Sequence, residues 1–513
     1  METQVLIIGG GVTGTGLARD LALRGVQSIL VEKKDLNAGA SGANHGLLHS
    51  GGRYVASDPD TAAECRKESN ILKKMAAGCI EDTGGLFVAV EGDDEKYIAD
   101  FPHLCSQSGI PVRELDPLEA REIEPALSSK IIAVYEVQDA SIDPFKLNLE
   151  NMDHAQALGS RLLRHTEVMA FDRNGKRIQQ VRLRNTMTGE DIFVEPEQVV
   201  NAAGAWARNV ASFAGAPIDM IYSKGSLLIT DTRLTTRVVN RLRPASDGDI
   251  LVPGGTVSLL GTTSIRINSP DDIRPTVEEI NAITDFGSEM VPALQKTRFI
   301  RAYSGVRPLI GTQSNQGDRS VGRNFALFDH MQDGLENLVT ITGGKLTTYR
   351  YMAEKTADLV CNRLGVSAPC VTRTEPLPPS ETSQWTEPGR APREWLKKKN
   401  PEDIILCECE MVPRSVIDSI ITSLRDKDGS VDLRAIGLRS RIGKGLCQGA
   451  FCGIRITAYM FDEGELTADE GLINLREFLN GRWKGIRPVL WGASLIQEEL
   501  QEALHCGLFG LEL

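Results

Sequence analysis

Four cysteines near the C-terminus stand in two tight pairs. They are Cys407, Cys409, Cys447 and Cys452, in the runs LCECEMV and GLCQGAFCGI. Among the common cellular metals, thiolates select zinc or iron–sulfur clusters. Four thiolates can close a tetrahedral zinc site or hold two bridged irons, and the C-x-C and C-x4-C spacing fits the usual zinc knuckle less well. These residues predict a thiolate metal centre and leave the metal open.

A glycine-rich turn stands at the opposite end of the chain. Gly9, Gly11 and Gly14 form a Gly-x-Gly-x-x-Gly pattern after an apolar run, and Glu32 follows 18 residues beyond Gly14. Such glycines allow a tight turn, and the helix that starts there offers N–H groups and a positive dipole to a pyrophosphate. An acidic residue at the end of the second strand can accept hydrogen bonds from ribose hydroxyls. The pattern predicts a dinucleotide site.

Two later segments favour FAD over NAD at that site. VVNAAGAWA at 199–207 is a predicted strand that ends in small residues, which lets the chain pass close to a flavin. ITGGKLTTYR at 341–350 again runs from a strand through two glycines into a helix start. A helix N-terminus aimed at the isoalloxazine favours the negative charge of the reduced ring. Either segment alone could be an ordinary strand–helix turn, but the three turns together predict FAD.

A parallel α/β sheet must position these residues. The sequence predicts a strand at 4–8, a turn over Gly9–Gly16, a helix over Leu17–Arg24, a strand at 28–34, and later strands at 198–204, 226–231 and 337–344. Short β-rich pieces with Gly and Pro turns continue to about residue 330. They are typical of an antiparallel sheet that covers a nucleotide-binding domain.

Composition divides the chain into units. We predict an oxidoreductase unit over 1–370, a linker rich in Pro, Ser, Thr and Glu over 371–403, a cysteine-cluster domain over 404–460 and a helical extension over 461–513. Within the first unit, the predicted nucleotide-binding parts are about 1–80, 145–217 and 331–370, and the predicted substrate or cap parts are about 81–144 and 218–330.

The bulk composition is that of a globular protein. Of the 513 residues, 41% are hydrophobic and 25% are charged, which argues against wholesale disorder. A formal net charge of −12 without long Lys or Arg runs predicts no nucleic-acid partner. There is no basic leader with a cleavage signature, and no apolar run approaches the roughly 18 residues of a membrane span. We therefore expect a cytoplasmic protein for which docking on a membrane complex stays open.

Several runs together resemble one enzyme family. IIGGGVTGTGLARDLALRG, GASGANHGLLHSGGRY, VVNAAGAWA, RAYSGVRPLIG and TITGGKLTTYR resemble segments of the FAD-dependent glycerol-3-phosphate dehydrogenases. KGSLLI, DILVPG and the paired cysteines are similar to the anaerobic branch of that family, so the resemblance covers essentially the whole chain. It implies an α/β fold with a glutathione-reductase-like FAD-binding Rossmann domain, an antiparallel-sheet substrate domain and a small, mainly helical C-terminal Fe–S domain.

The resemblance also implies an activity and its residues. The activity is oxidation of sn-glycerol 3-phosphate to dihydroxyacetone phosphate, with hydride passing from C2 to flavin N5. Arginine suits the phosphate because its planar fork makes bidentate hydrogen bonds. The family's pocket maps onto Arg53, Tyr54 and Lys345, with Arg307 beside the reacting centre. His49 matches the histidine near the flavin and is the expected acceptor of the C2 hydroxyl proton.

Other residues of the implied site carry separate expectations. His45 is the alternative base or a cofactor-lining residue. Aerobic relatives have a histidine directly after a Lys/Arg-Gly-Ser turn where this chain has Leu227, and Lys224 is expected to compensate in binding substrate. Besides the residues of the first glycine turn and Glu32, the implied cofactor contacts are Ser41, His45, Ala203, Gly204, Gly343, Gly344, Leu346 and Thr347.

For the cysteines, the resemblance implies a 2Fe–2S cluster of the bacterioferritin-associated-ferredoxin type, with zinc as the alternative. Gly443, Gly445 and Gly449 would let the loop fold around the ligands and donate N–H groups to sulfur. Such a cluster would pass on, one at a time, the two electrons that a flavin receives. The anaerobic branch implies as partners membrane quinone and two further subunits, one a second flavoprotein and the other an Fe–S membrane anchor. It thereby implies peripheral association with the inner face of the cytoplasmic membrane.

Other functions stay open on the sequence. A relative that oxidises another 2-hydroxy or amino acid, such as 2-hydroxyglutarate, would use arginines directed at a carboxylate. A chain that binds flavin and a cluster without turnover would be a redox scaffold or sensor. A zinc centre would make the C-terminal unit an assembly domain.

Overall fold

Two large sheets organise the structure, a computed structural model that describes residues 1–271, 273–311 and 324–513. The strands of the described residues are β1 Glu2–Ile8, β2 Ser28–Val31, β3 Leu47–Leu48, β4 Ile80–Glu81, β5 Gly85–Val90, β6 Arg113–Leu115, β7 Ile131–Val137, β8 Ala140–Ile142, β9 Arg161–Leu163, β10 Thr166–Asn174, β11 Arg177–Asn185, β12 Asp191–Asn201, β13 Met220–Thr230, β14 Val238–Arg241, β15 Ile250–Gly254, β16 Val257–Gly261, β17 Ile265–Ile267, β18 Phe299–Ile310, β19 Phe325–Asp329, β20 Leu338–Gly343, β21 Ile405–Cys407 and β22 Val412–Pro413. The α-helices of the same residues are α1 Val12–Leu23, α2 Pro59–Met75, α3 Glu95–Gln107, α4 Pro117–Ile123, α5 Pro144–Ala157, α6 Ala207–Ser212, α7 Val277–Met290, α8 Tyr349–Leu364, α9 Arg390–Lys398, α10 Arg414–Asp428, α11 Leu433–Leu438, α12 Cys452–Asp462, α13 Ala468–Trp483 and α14 Ala493–Phe509.

The first sheet has the strand order β10-β11-β12-β1-β2-β9, with β20 beside β12 and β19 beside β20. Strand β1 runs parallel to both neighbours, so that Ile8 lies opposite Val31 on β2 and Asn201 on β12. The second half of β1 is apolar and buried on both faces, as a central parallel strand should be. Helices α1, α5 and α8 share one apolar core over this sheet. The carboxyl ends of β1, β2, β12 and β20 therefore meet at one edge.

The second sheet has the strand order β17-β13-β16-β15-β14-β5-β7-β6, with β18 also beside β13. All its pairs are antiparallel except the parallel pair β14–β5. On the long β13–β18 pair, Ser223 lies opposite Arg307 and Gly225 lies opposite Gly305. Helix α7 packs its apolar residues against one face of this sheet and shares an apolar core with it. This register decides which side chains of β13 and β18 reach the site.

The C-terminal unit has a core of its own. Apolar residues of α10 to α13 surround the small β21–β22 hairpin, and Cys407 and Cys452 are buried in that core. Two buried ion pairs join the unit to the first sheet: Arg439 Nη1 lies 2.8 Å from an Asp35 carboxylate oxygen, and Arg164 Nη1 lies 3.4 Å from Asp432. The C-terminal unit, which contains the clustered cysteines, therefore packs against the loop after β2, which contains Asp35.

These observations confirm the predicted fold class of an α/β protein with a mainly helical C-terminal unit. The second sheet, which the sequence predicts to be antiparallel, contains one parallel pair, β14–β5. The predicted domain boundaries stay predictions. Strand β19 pairs with the first sheet, although the sequence places it in the substrate part, and residues 312–323 of that part lie outside the described residues. None of the helices in the described ranges is both long enough and apolar enough to cross a membrane.

The segment predicted as a linker, 371–403, makes specific contacts with the first unit. Leu377 is buried and its N–H donates to the Met75 carbonyl at 2.7 Å. The Ser383 hydroxyl donates to Glu150 at 2.9 Å, and α9 follows. The Pro, Ser and Thr content that is typical of a linker also suits an extended strap that is fastened by hydroxyl groups.

Candidate active site and cysteine cluster

Helix α1 begins directly after the first glycine turn. The sequence predicts a turn over Gly9–Gly16 and a helix from Leu17, whereas the structure starts the helix at Val12. The correction has a packing cause. A Cβ at Gly14 would lie 2.0 Å from the Gly9 carbonyl oxygen. Gly14 therefore allows the helix to approach the strand closely and does not itself line the cavity described below.

Glu32 lies where the sequence places it, at the end of β2 and against the glycine turn. One carboxylate oxygen accepts the Gly10 N–H at 2.7 Å and the other accepts the Lys34 N–H at 2.9 Å. Burial raises the pKa of this carboxyl group, and the two backbone hydrogen bonds oppose that effect. The side chain is fixed with lone pairs still available for hydroxyl groups.

A cavity of about 580 Å³ opens at the strand edge where the two sheets meet. That volume is typical of a cofactor or small-molecule site. The predicted site residues that line it are Gly9, Gly11, Glu32, Ser41, His45, His49, Arg53, Tyr54, Ala203, Gly204, Arg307, Gly343, Gly344, Lys345 and Leu346. The predicted residues outside its lining are Gly14, Thr347 and Lys224. Segments from five regions of the chain thus converge on one space.

The loop after β2 lies against the helix N-terminus. The Ser41 hydroxyl accepts the Val12 N–H at 2.9 Å, and a Cβ at Gly11 would lie 3.0 Å from the same oxygen. At the start of a helix, backbone N–H groups that lack a helical partner attract oxygen atoms and anions. The turn and this loop form a cradle that fits a pyrophosphate.

Small residues at the ends of β12 and β20 keep the opposite wall thin. Gly204, Gly343 and Gly344 have φ angles of +55°, +83° and +71°. A Cβ at Gly344 would lie 2.4 Å from the Met352 sulfur, so a larger residue is excluded there. The Thr342 hydroxyl donates to the Gly204 carbonyl at 2.9 Å and joins the two strand ends. This wall admits a flat ring system close to the backbone, which fits the predicted flavin.

His49 is buried at the cavity wall. Its backbone N–H donates to the Thr347 hydroxyl at 3.1 Å, so Thr347 holds the histidine loop and does not line the cavity. The His49 ring lies 5.3 Å from the Tyr54 ring and 6.0 Å from the His45 ring, measured between centroids. The His45 Nδ1 accepts the Leu47 N–H at 3.2 Å, which occupies that nitrogen within its own loop.

Arg53 brings a buried guanidinium to the cavity. Its Nη2 lies 2.7 Å from Asp249, while Nη1 is buried and has no hydrogen-bond partner among the described residues. Burial would raise the pKa of Asp249, but Arg53 and Arg243 outweigh it and hold that pKa below its ordinary value. A buried donor without a partner costs roughly 1–3 kcal/mol, so this nitrogen points to an anionic or polar ligand.

Arg307 and Lys345 add two further cations to the lining. Arg307 Nη1 donates to the Thr263 carbonyl at 3.1 Å, and the guanidinium lies over Gly225, where a Cβ would come within 2.3 Å of it. Lys345 Nζ lies 4.8 Å from the Tyr54 ring centroid, in cation–π geometry. A chain with a net charge of −12 thus presents a locally positive pocket.

Lys224 is the predicted substrate residue that the structure places elsewhere. Its Nζ lies 2.8 Å from Glu279 on α7 and donates to the Arg274 carbonyl at 3.0 Å. Side chains alternate between the faces of a strand, and Ser223 lies opposite the pocket residue Arg307. Lys224 therefore faces α7 and not the cavity, so the prediction that it binds substrate is wrong. Leu227 does line the cavity, so the position that holds a histidine in aerobic relatives is apolar here.

A Lys224→Met variant is expected to lose stability and keep its substrate affinity. Removing one partner of a buried ion pair costs roughly 3 kcal/mol, because Glu279 would stay buried without its cation. Thermal melting and the KM for glycerol 3-phosphate measure the two effects. The double variant Lys224→Met/Glu279→Gln should recover part of the melting temperature. A large increase in KM at unchanged stability would return Lys224 to the pocket.

Sequence reasoning missed the residues that hold the pocket arginines. Asp249 fixes Arg53 from 196 positions away, and Thr263 fixes Arg307 from 44 positions away. Asp249 stands in the DILVPG run, but nothing in that run names its partner. The sequence offers only a general chemical expectation, which is that a buried arginine needs a carboxylate or carbonyl group nearby.

The four clustered cysteines come together as predicted. Cys409 Sγ lies 3.8 Å from Cys407 Sγ and 3.7 Å from Cys447 Sγ. Hydrogen bonds from Cys409 and Cys452 lower the pKa of Cys447, and those to Cys407 and Cys447 raise the pKa of Cys409. A Cβ at Gly445 would lie 2.5 Å from Cys409 Sγ, so the loop closes on the thiols. We call these four residues the cysteine quartet.

Arg482 lies near the quartet, and Arg301, from the second sheet, lies near Arg482. Arg482 on α13 donates to Gln448 inside the cysteine loop at 3.1 Å, and Arg301 on β18 donates to the Gly481 carbonyl at 2.9 Å. Nε of each is buried without a hydrogen-bond partner in the described ranges. Burial lowers the pKa of Arg301 to about 10, and burial lowers that of Arg482 as well, with Arg301 adding to the effect and the quartet thiols opposing it. Cations this poorly compensated fit a negatively charged centre beside them.

The four side chains of the quartet are of the right chemical type for a thiolate metal centre. Their positions do not form a complete metal-binding arrangement. In the part of the chain that the structure describes, no group of three or more His, Cys, Asp or Glu residues is placed to hold a metal ion. With a metal–sulfur bond of about 2.3 Å, tetrahedral geometry separates two sulfurs by about 3.8 Å. The quartet's 3.8 and 3.7 Å separations match that value. They do not choose between one zinc and two irons.

Comparisons with known proteins agree with this geometry. The profile of the family described as FAD dependent oxidoreductase matches residues 4–359. Two similar relatives are the A subunits of anaerobic glycerol-3-phosphate dehydrogenases. The chain is 42% identical to the one from Escherichia coli strain K12, over 100% of this chain and 97% of that protein. It is 39% identical to the one designated A1 from Haloferax volcanii, over 98% of this chain and 90% of that protein.

A solved structure shows the same fold at lower identity. The glycerol-3-phosphate dehydrogenase from Bacillus halodurans, complexed with FAD, superimposes with a TM-score of 0.65 at 21% identity, over 96% of both chains. The curated relatives match the C-terminal unit as well as the first unit, because their alignments span nearly the whole chain.

Proposed function

The chain belongs to the FAD-dependent oxidoreductase family and, within it, to the family of anaerobic glycerol-3-phosphate dehydrogenase A subunits, and from that premise we propose that it oxidises sn-glycerol 3-phosphate to dihydroxyacetone phosphate. The observation that carries the proposal is the buried Arg53 Nη1, which lacks a partner among the described residues at the wall of a cavity that Arg307 and Lys345 also line. Three cations around one cavity suit a phosphate dianion.

The protein's own groups would bind and orient the substrate. FAD, held by the first glycine turn, Glu32, Ser41 and the two thin strand ends, supplies the acceptor for the C2 hydrogen and its electron pair. Arg53 and Lys345 would bind the phosphate, and Arg307 would orient the rest of the substrate inside the cavity. A His49 ring nitrogen would take the C2 hydroxyl proton as the ketone forms. His49 is buried, and its position at the cavity wall would help to keep water away from the reacting carbon.

The flavin spectrum tests this proposal against its nearest rival. Anaerobic addition of glycerol 3-phosphate should bleach the flavin of the purified holoprotein, and 2-hydroxyglutarate should leave it oxidised. The reverse result would assign the pocket to a 2-hydroxy acid, whose carboxylate the same arginines would then bind. Bleaching by neither compound would favour a redox scaffold without turnover.

An Arg53→Gln variant is expected to raise the KM for glycerol 3-phosphate roughly 10- to 100-fold. A hydrogen bond to a charged group contributes about 1.5–3 kcal/mol, and glutamine keeps polarity while removing the charge. Arg243→Gln is the matched control, because Arg243 pairs with the same Asp249 at 2.8 Å but does not line the cavity. Equal effects of the two variants on KM would show that the pair is structural.

For the quartet we propose a 2Fe–2S cluster that receives electrons from the flavin. The proposal is supported by the close approach of the Cys407, Cys409 and Cys447 sulfurs, by the hydrogen bonds of Cys452 to Cys407 and Cys447, and by Arg482, whose positive charge would favour a negatively charged centre held by these thiolates. Metal analysis of anaerobically purified protein tests it. Two irons with acid-labile sulfide are expected, and a single zinc would overturn the assignment.

The electron path beyond the chain is part of the same proposal. The relatives are named as subunits of an enzyme, which supports a complex of several chains. We propose that two further subunits, a second flavoprotein and an Fe–S membrane anchor, receive the electrons and deliver them to membrane quinone. The chain would then sit peripherally on the inner face of the cytoplasmic membrane, held by those partners.

A further inference from the structure

Helix α14 presents an apolar stripe to the outside of the C-terminal unit. The stripe is Ile496, Leu500, Leu504 and Leu508, which follow one another at intervals of four residues. Their exposed fractions are 67%, 60%, 53% and 73%. Residues at this spacing share a helix face, and such a face is normally the one that a globular protein buries. Scattered exposed leucines need no explanation, but a continuous row on one helix does.

The side of α14 that faces the protein is anchored by a buried histidine and by Phe509, which packs against the core of the C-terminal unit. His505 is buried, its Nε2 lies 3.1 Å from the Ala450 carbonyl oxygen, and its ring packs edge-on against Trp483 at 5.1 Å. Ala450 belongs to the loop between Cys447 and Cys452. The helix is therefore anchored beside the quartet with its apolar row turned outward.

The surface of the cysteine loop continues the exposed apolar character. Leu446, directly before that loop, and Phe451, its last residue before Cys452, are 51% and 58% exposed. Cys409 is the exposed member of the quartet, whereas Cys407 and Cys452 are buried. Cys409 lies close to Gly445, the residue before the exposed Leu446, so the most exposed thiol of the quartet is near an apolar side chain on the surface.

The charges around the stripe identify what covers it. From Trp491 to Leu513 the chain has four glutamates and no lysine or arginine. One of these glutamates, Glu502, pairs with Arg487 at 2.5 Å, which still leaves this segment with a negative charge. Helices that lie on membranes carry Lys and Arg on the polar face, and anionic lipid headgroups repel acidic segments. A symmetric dimer would bring the same acidic patch against itself. Both occupants fit poorly, whereas a protein surface that is apolar at its centre and basic at its rim fits well.

We propose that the stripe is the docking surface for a different polypeptide, apolar with a basic rim, that accepts electrons from the quartet. This inference rests on the proposed function, since it gives the partner of the proposed electron path a place to bind. Docking there would place the acceptor on the helix that is anchored to the loop between Cys447 and Cys452, and it would cover four large aliphatic side chains that are otherwise exposed to water.

Hydrogen exchange on the wild-type complex is the first test. The tagged chain is purified from its native host in mild detergent with its stoichiometric partners, and its exchange is compared with that of the isolated holoprotein. Amides of α14 are expected to slow roughly tenfold or more in the complex. Amides of α4, which carries the exposed Leu118, are expected to keep their rates. Unchanged exchange in α14 would overturn the proposal.

A Leu500→Ser/Leu504→Ser variant is the second test, with Leu118→Ser as the matched control. The double variant is expected to lose the stoichiometric partner and the quinone-linked activity by a factor of roughly 10 to 100, with dye-linked glycerol 3-phosphate oxidation unchanged. Normal assembly of the double variant would overturn the proposal. So would a wild-type homodimer that the variant makes monomeric, or wild-type binding to phosphatidylcholine–phosphatidylglycerol vesicles that the variant lacks.

The two tests separate this proposal from the enzymatic one. Dye-linked turnover by the isolated holoprotein reports on the substrate pocket alone. Exchange and assembly report on α14 whatever the substrate is. Loss of turnover with normal α14 protection would reject the proposed substrate, and turnover without α14 protection would reject the docking surface.

Discussion

A His49→Asn variant is expected to oxidise glycerol 3-phosphate roughly 10²- to 10⁴-fold more slowly than the wild-type protein, which is the usual contribution of a positioned general base. Asparagine has a similar size and can still donate a hydrogen bond, but it cannot accept the C2 hydroxyl proton. The rate of flavin reduction in a stopped-flow mixing experiment measures the chemical step directly, without interference from later electron transfer.

Two observations distinguish a proton-accepting role of His49 from a structural one. The flavin absorption spectrum and the substrate dissociation constant should stay close to wild type, because the Thr347 hydroxyl bonds the backbone of His49 and not its ring. His45→Asn is the matched control, since His45 lines the same cavity from the same loop. A larger loss in the His45 variant would transfer the role to His45.

The local parts of the site can be predicted from the sequence because their geometry is set by neighbours in the chain. The first glycine turn and Glu32 lie within one βαβ unit, so their spacing fixes their contact. The approach of Gly445 to Cys409 spans 36 positions, and the sequence predicts it through the chemistry of the paired cysteines and the glycines of the loop. Where contacts are short in sequence, pattern and structure agree.

The sequence predictions are wrong where they depend on which face of a strand a residue occupies, or on how closely a helix packs against a strand. Lys224 follows a pocket-facing register position by one residue, and one residue is enough to turn a side chain to the other face of a sheet. The sequence pattern assigns Gly14 to a turn because glycine breaks helices, whereas close packing on Gly9 requires glycine inside the helix. Composition alone cannot distinguish those two uses of glycine.

Long-range electrostatic partners are beyond sequence reasoning altogether. Arg301 and Arg482 are 181 positions apart and belong to β18 and α13, yet they are close enough that the charge of Arg301 lowers the pKa of Arg482. Asp249 and Arg53 are as remote in sequence. Such pairs follow from the packing of one body on another, and only the folded chain shows that a cation is left for a ligand.

A Cys447→Ser variant is expected to uncouple the two halves of the reaction. Serine is a much weaker ligand than a thiolate for iron in a sulfur-bridged cluster, so the variant should lose most of its iron and acid-labile sulfide while flavin content and dye-linked turnover stay close to wild type. Quinone-linked turnover of the assembled complex should fall to background. Cys506→Ser is the control, because Cys506 is a partly exposed thiol outside the quartet.

The Cys447 variant is informative because dye-linked turnover and quinone-linked turnover can be measured separately. The cavity residues belong to the first unit and the quartet has its own apolar core, so losing the cluster need not disturb the flavin. If dye-linked turnover falls in parallel with iron, the centre supports the fold of the whole chain and is not a separate electron carrier. If quinone-linked turnover survives without iron, electrons leave the flavin by another route and the quartet is structural. Only loss of quinone-linked turnover with retained dye-linked turnover agrees with an electron exit through Cys407, Cys409, Cys447 and Cys452.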